Sequence, residues 1–123
     1  MRFMVVDDSE IIRLKISEVL SAEDFEIVGT AKNGVEAIEQ FKIYRPAIMT
    51  MDITMPMMDG IETIQRIVEM DKEVRILVVS ALADKATLLK AMSLGAYGFL
   101  CKPFNGNTLA DAIEELIEGL VDE

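Results

Sequence analysis

Three aspartates sit where apolar runs of strand length end. Asp7 and Asp8 follow Phe3-Met4-Val5-Val6, and Asp52 closes Ala47-Ile48-Met49-Thr50-Met51. An ionised carboxylate at the end of a buried strand is costly unless something pairs with it, so a chain that keeps one there is using it. Two more polar residues occupy equivalent places, Ser80 after Arg75-Ile76-Leu77-Val78-Val79 and Lys102 after Tyr97-Gly98-Phe99-Leu100-Cys101. Three carboxylates at close range repel one another and some would be forced to take up protons; a hard divalent cation removes that conflict. Oxygen donors with no His or thiolate suit Mg2+ or Mn2+. A carboxylate nucleophile, a metal, an ammonium and a hydroxyl together fit a phosphoryl group. The metal and Lys102 would neutralise its oxygens, the Ser80 hydroxyl would bond to one of them, and Asp52 would attack phosphorus in line.

Composition narrows the chemistry further. The chain has 123 residues, one Cys, no His and a formal charge of −10. Having no His removes His-based metal sites, general bases and phosphocarriers together. The acidic balance argues against a nucleic-acid surface, which needs a basic patch. No apolar run approaches the roughly 18 residues of a membrane span, and Met1-Arg2-Phe3-Met4-Val5-Val6-Asp7-Asp8 lacks the shape of a signal peptide. These features point to one cytoplasmic domain over residues 1–123. The lone Cys101 lies in an apolar stretch and reads as a small core residue of a protein in a reducing compartment.

The elements that must carry these residues alternate. Apolar runs at 3–6, 26–30, 47–51, 75–80 and 97–101 predict strands. Helical periodicity follows each of them. The first helix covers 9–21, with Asp8 or Ser9 as N-cap and Ile12, Ile16, Val19 and Leu20 facing the sheet. The second is capped by Asn33 and closed by Pro46, and the third runs over 61–70 behind the Asp59-Gly60 turn. Asp84 caps a fourth that Gly95 stops. Asn107 caps a fifth with Leu109, Ala112, Ile113, Leu116, Ile117 and Leu120 as its stripe. Five strand–helix repeats with short links predict an α/β domain with a parallel sheet covered on both faces. All the polar residues above then converge on the carboxyl edge of the sheet, where open α/β sheets bind their ligands.

With the motifs Val-Val-Asp7-Asp8-Ser, Met-Asp52-Ile-Thr-Met-Pro56-Met-Met-Asp-Gly60, Val-Val-Ser80-Ala81 and Phe99-Leu-Cys-Lys102-Pro103-Phe104, the chain resembles the receiver domains of bacterial response regulators, of the single-domain chemotaxis (CheY) type. The resemblance covers essentially the whole chain. It implies a (βα)5 flavodoxin-like three-layer sandwich with a five-stranded parallel sheet of order 2-1-3-4-5. It implies that Asp52 accepts a phosphoryl group from the phosphohistidine of a sensor histidine kinase. It further implies that Asp8 and Asp52 ligate Mg2+ directly, that Asp7 acts through water, and that the Thr54 carbonyl completes the protein ligands. Ser80 and the Ala81 N–H would hold phosphoryl oxygens, and Lys102 would pair with one. The Lys102-Pro103 peptide is expected to be cis. In the implied switch, phosphorylated Asp52 draws Ser80 inward and Phe99 turns into the vacated space, so the fourth helix, fifth strand and last helix present an altered surface to a downstream protein. Thr54 and Leu82 occupy the positions that tune attack of water on the acyl phosphate, and their side chains imply slow self-dephosphorylation.

Ile11 and Leu14 are apolar yet lie off the core face, beside Arg13 and Lys15. The resemblance makes that surface the docking site for the kinase's helical bundle. The acidic outer face of the last helix (Asp111, Glu114, Glu115, Glu118, Asp122, Glu123) would suit a basic target. The expectation is a monomeric signalling switch and not an enzyme. The competing readings are a receiver cut from a larger regulator or hybrid kinase, a binding module that has lost phosphorylation, and a Mg2+-dependent phosphohydrolase of the haloacid dehalogenase type. Thr54 stands where such a hydrolase usually carries its second acid.

Overall fold

Alternation of strand and helix holds throughout the computed structural model, which describes residues 1–23, 25–81 and 85–118. The order is β1 (Arg2–Val6), α1 (Glu10–Ala22), β2 (Glu26–Ala31), α2 (Gly34–Tyr44), β3 (Ile48–Met51), α3 (Gly60–Met70), β4 (Arg75–Ser80), α4 (Lys85–Leu94), β5 (Gly98–Cys101) and α5 (Gly106–Ile117). Every strand pairing is parallel and the sheet order is β2-β1-β3-β4-β5, the flavodoxin-like arrangement the resemblance implied.

Successive side chains of a strand point to opposite faces, so each buried strand feeds two cores. Met4 and Val6 of β1, Met49 and Met51 of β3, and Ile76 and Val78 of β4 pack with Phe41, Ile64, Ile67 and Ala91 beneath α2, α3 and α4. Phe3, Val5, Ile48, Leu77 and Val79 pack on the other side with Ile16, Leu20, Leu109 and Ile113 of α1 and α5. The result is a three-layer sandwich. No described helix is long and apolar enough to cross a membrane.

Side-chain caps set where the helices begin. Ser9 Oγ accepts from the Ile12 N–H at 3.3 Å, Asn33 Oδ1 from Glu36 at 2.8 Å, and Asp59 Oδ1 from Glu62 at 2.9 Å. Gly95, at φ 120°, follows the end of α4 in a conformation L side chains rarely adopt. The Lys102-Pro103 peptide is cis, as expected.

Two sequence expectations change. The cap of α5 is Asn105 and not Asn107. Asn105 Oδ1 accepts from the Thr108 N–H at 2.8 Å while Thr108 Oγ1 accepts from the Asn105 N–H at 3.1 Å. From Asn107 the corresponding partner would be Ala110, which has nothing to return, so the reciprocal pair selects the earlier start. Asn105→Ala should lower stability by about 1 kcal/mol in urea unfolding while Asn107→Ala leaves it nearly unchanged. The second change is Cys101, which is exposed and not in the core. It ends β5, an edge strand paired only with β4, where burial fades along the chain. The expected cap Asp84, and Leu82, Leu120, Asp122 and Glu123, lie outside the described residues.

Gly60 admits a close approach of backbone to backbone. A Cβ there would collide with the Asp52 carbonyl oxygen and stand 2.8 Å from Ile53 Cα. The Gly60 N–H donates to the Ile53 carbonyl at 2.8 Å, fixing α3 directly under the Asp52 loop. Gly60→Ala is therefore expected to destabilise the fold by about 2 kcal/mol, read as a lower urea midpoint at unchanged slope.

Candidate functional site

Because all strands run the same way, their carboxyl ends share one edge, and the ladder continues into the residues just past them. The Asp7 N–H donates to Ala31 at 3.0 Å, the Asp52 N–H to Val6 at 3.0 Å, and the Lys102 N–H to Ser80 at 3.0 Å. Each site residue thus has its backbone pinned by the neighbouring strand. Asp7 is further held by the Ser9 N–H, which donates to its Oδ1 at 2.9 Å, and by Arg13 Nη1, which donates to its carbonyl at 2.7 Å.

The three carboxylates converge as the sequence suggested: oxygens of Asp7, Asp8 and Asp52 lie within 4.8 Å of one another. Asp7 is 0% exposed and Asp52 4%, whereas Asp8 is exposed at the rim. Lys102 Nζ stands 2.8 Å from Asp7 Oδ2 and 3.6 Å from Asp52 Oδ1. Burial, and next the Asp7 charge, push the Asp52 carboxyl up from 3.8 to about 6, against the lowering effect of Lys102; a hydrogen bond with Asp8 and the Asp8 charge add to the rise.

This donor set fits a hard divalent cation. Asp7 Oδ2 is buried and, among the described residues, accepts no hydrogen bond of good geometry, its neighbour of opposite charge being the Lys102 ammonium. A lone pair so placed, among carboxylates that repel, is what an oxygen-liganded cation relieves. Mg2+ binding only the folded chain should stabilise it by about 1.4 kcal/mol at ten times its dissociation constant. The Mg2+-induced rise in melting temperature should be large at pH 8 and small at pH 5, because below about 6 a proton on Asp52 competes with the metal.

A cleft of about 340 Å3 opens above the carboxylates, lined by Asp52, Thr54, Ser80, Ala81 and Lys102. The expected site residues are thus brought together. Phe99 is half-buried beside the core under α2–α4 and lines a separate cavity of about 350 Å3 with Tyr97, Ala112 and Glu115. Ile11 and Leu14 are exposed, at 77% and 57%. Sequence reasoning passed over Arg13 and Lys15 as supports of the site. Lys15 bonds to Phe104, 89 residues away, and no local spacing announces such a contact.

Comparison with known proteins agrees with this geometry. The response regulator receiver domain family matches residues 3–114. The chain is 37% identical to the chemotaxis protein CheY of Bacillus subtilis (strain 168), covering 94% of this chain and 97% of that protein. It is 40% identical to the chemotaxis protein CheY of Halobacterium salinarum (strain ATCC 29341 / DSM 671 / R1), covering 93% and 94%. A chain in the crystal structure of the CheX–CheY–BeF3–Mg2+ complex from Borrelia burgdorferi superposes with a TM-score of 0.92 at 31% identity, covering 95% of this chain and 89% of that one. The acidic triad, its lysine and the sheet that carries them are accounted for together: the chain belongs to the response regulator receiver domain family, the phosphorylation-regulated switches of two-component signalling.

Proposed function

We propose that Asp52 is the phosphoacceptor and that the donor is a phosphohistidine on a sensor histidine kinase. The observation that carries this reading is a single carboxylate, 4% exposed, facing an open cleft between an ammonium and two further carboxylates. An Asp52 carboxylate oxygen forms the new bond to phosphorus, the phosphorus–nitrogen bond to the donor imidazole breaks, and the imidazole leaves with the bonding pair and takes up a proton. The donor histidine lies outside this sequence, which has none.

Asp8 and Asp52 would hold Mg2+, with Mn2+ as a substitute, joined by the Thr54 carbonyl and, through water, Asp7. When bound, the ion neutralises the charge gathering on the phosphoryl oxygens. Ser80 and the Ala81 N–H supply donors to those oxygens, and Lys102 supplies the second positive charge. The chain acts once on itself and is not a turnover enzyme. With Thr54 exposed at the cleft and no acid or amide on its side chain, self-dephosphorylation is slow.

The switched surface is α4, β5 and α5, reached through Ser80 and Phe99. Leu89, Met92 and Tyr97 are exposed there, Glu115 and Glu118 line a cavity with Tyr97, and this suits a downstream protein with a basic, partly apolar face. Ile11 and Leu14 form the kinase-docking surface. The setting is a monomer in the cytoplasm, and the CheY relatives favour chemotaxis as the pathway.

Transfer from a sensor kinase carrying labelled phosphohistidine tests this. The label should move to this chain only with Mg2+ present and be released by alkali, as an acyl phosphate is. Label that stays on every kinase offered, or that lands on a hydroxyl and resists alkali, contradicts the reading.

A further inference from the structure

Two cations on α1 reach across to the loops that carry the site. Arg13 serves the β1–α1 loop through the Asp7 carbonyl, and Lys15 serves the β5–α5 loop. Lys15 Nζ donates to the Phe104 carbonyl at 2.6 Å, and the same ammonium lies 4.7 Å from the centroid of the Phe104 ring. The two contacts hold both the backbone and the side chain of Phe104, which is 7% exposed in the core under α1 and α5.

Phe104 stands two residues beyond Lys102. On one side Lys102 is fixed by its N–H bond to Ser80 at 3.0 Å, the last rung of the β4–β5 ladder. On the other side Pro103 has no N–H to give and is exposed, and α5 does not begin until Gly106. The short turn between ladder and helix is therefore anchored from outside, by Lys15.

We propose that Lys15 is a positioning residue for phosphoryl transfer: by clamping Phe104 to α1 it sets the place of the Lys102 ammonium over the Asp52 cleft. This deepens, and rests on, the reading of Asp52 as phosphoacceptor. A purely structural role predicts something different, and the molecule contains its own control. Arg75 Nη1 donates to the Leu116 and Glu118 carbonyls at 2.8 and 2.6 Å, and its guanidinium stacks on Tyr97 at 4.2 Å. The chemistry is the same, but Arg75 opens β4 and so lies at the opposite edge of the sheet from the site.

The test uses the full chain with acetyl phosphate at saturating Mg2+, comparing wild type, Lys15→Met, Lys15→Arg and Arg75→Met. Three quantities are read: the rate of phosphoryl gain, the Mg2+ affinity and the melting temperature. Lys15→Met should slow uptake about tenfold with Mg2+ affinity unchanged, since the metal-ligating carboxylates sit on other loops. Lys15→Arg, which keeps a cationic donor able to stack on a ring, should recover most of the rate. Arg75→Met should lower the melting temperature and leave the rate alone. Uptake by Lys15→Met at the wild-type rate overturns the proposal. So does a slowing of Arg75→Met in proportion to its lost stability, or a loss of Mg2+ affinity in Lys15→Met that matches its loss of rate. Wild type that gains no phosphoryl group overturns the acceptor reading itself, an outcome distinct from these.

Discussion

Asp52→Asn is expected to abolish phosphoryl uptake and, in the same protein, to raise stability in the absence of divalent cations by about 2 kcal/mol at pH 7.5. The first effect follows from removing the buried carboxylate that, among the described residues, lines the cleft with a cation beside it. The second follows from linkage. The Asp52 carboxyl is raised from 3.8 to about 6 by burial and by its acidic neighbours. Between those values the folded chain binds more protons than the unfolded one, so stability falls as pH rises from about 4 to about 6 and stays low above it. Asn keeps the shape and discards the charge. The variant should unfold at higher urea than wild type at pH 7.5 in chelator, at nearly the same urea at pH 4, and should lose its advantage when Mg2+ is added. A variant less stable than wild type at pH 7.5 without metal would show that the triad does not carry the strain assigned to it.

Lys102→Met is expected to do the reverse to stability and nearly as much to chemistry. Lys102 Nζ supplies the charge nearest to two buried carboxylates, at 2.8 and 3.6 Å, and it provides the lowering influence on Asp52. Without it the Asp52 carboxyl rises further, so the penalty that grows with pH becomes larger. Metal-free protein should lose about 2 kcal/mol at pH 7.5 and recover most of it at pH 5, where the Asp52 carboxyl carries a proton. The phosphoryl group would meet one positive charge fewer in the cleft, and uptake should slow about a hundredfold. Rates within a few-fold of wild type at saturating Mg2+ would remove Lys102 from the chemistry and leave it as an ion-pair partner only.

Much of this was legible in the sequence because the fold writes it in local terms. Apolar runs that stop at a polar residue fix both the strand and the residue past its end, so Asp7, Asp52, Ser80 and Lys102 could be placed together from one dimension. Ser9, Asn33 and Asp59 announced their helices for the same reason: a cap acts on residues two or three positions away. The strand order came from the resemblance, since alternation alone does not choose which strand lies beside which.

What escaped the sequence depends on distant partners or on competition between neighbours. Two asparagines two residues apart could each cap α5, and Thr108 decided between them. Cys101 looked like core because its neighbours are apolar, but edge position, a property of the whole sheet, exposes it. Lys15 and Phe104 meet because α1 and α5 share a face of the sheet, and nothing near Lys15 in the chain reports that.

The central claim is that Asp52 is a metal-dependent phosphoacceptor, and the most direct measurement is intact mass after incubation with acetyl phosphate and Mg2+. The account predicts a gain of one phosphoryl group on Asp52, lost when Mg2+ is chelated and absent in Asp52→Asn. No gain in protein shown to be folded, or a gain that persists in Asp52→Asn, would contradict it.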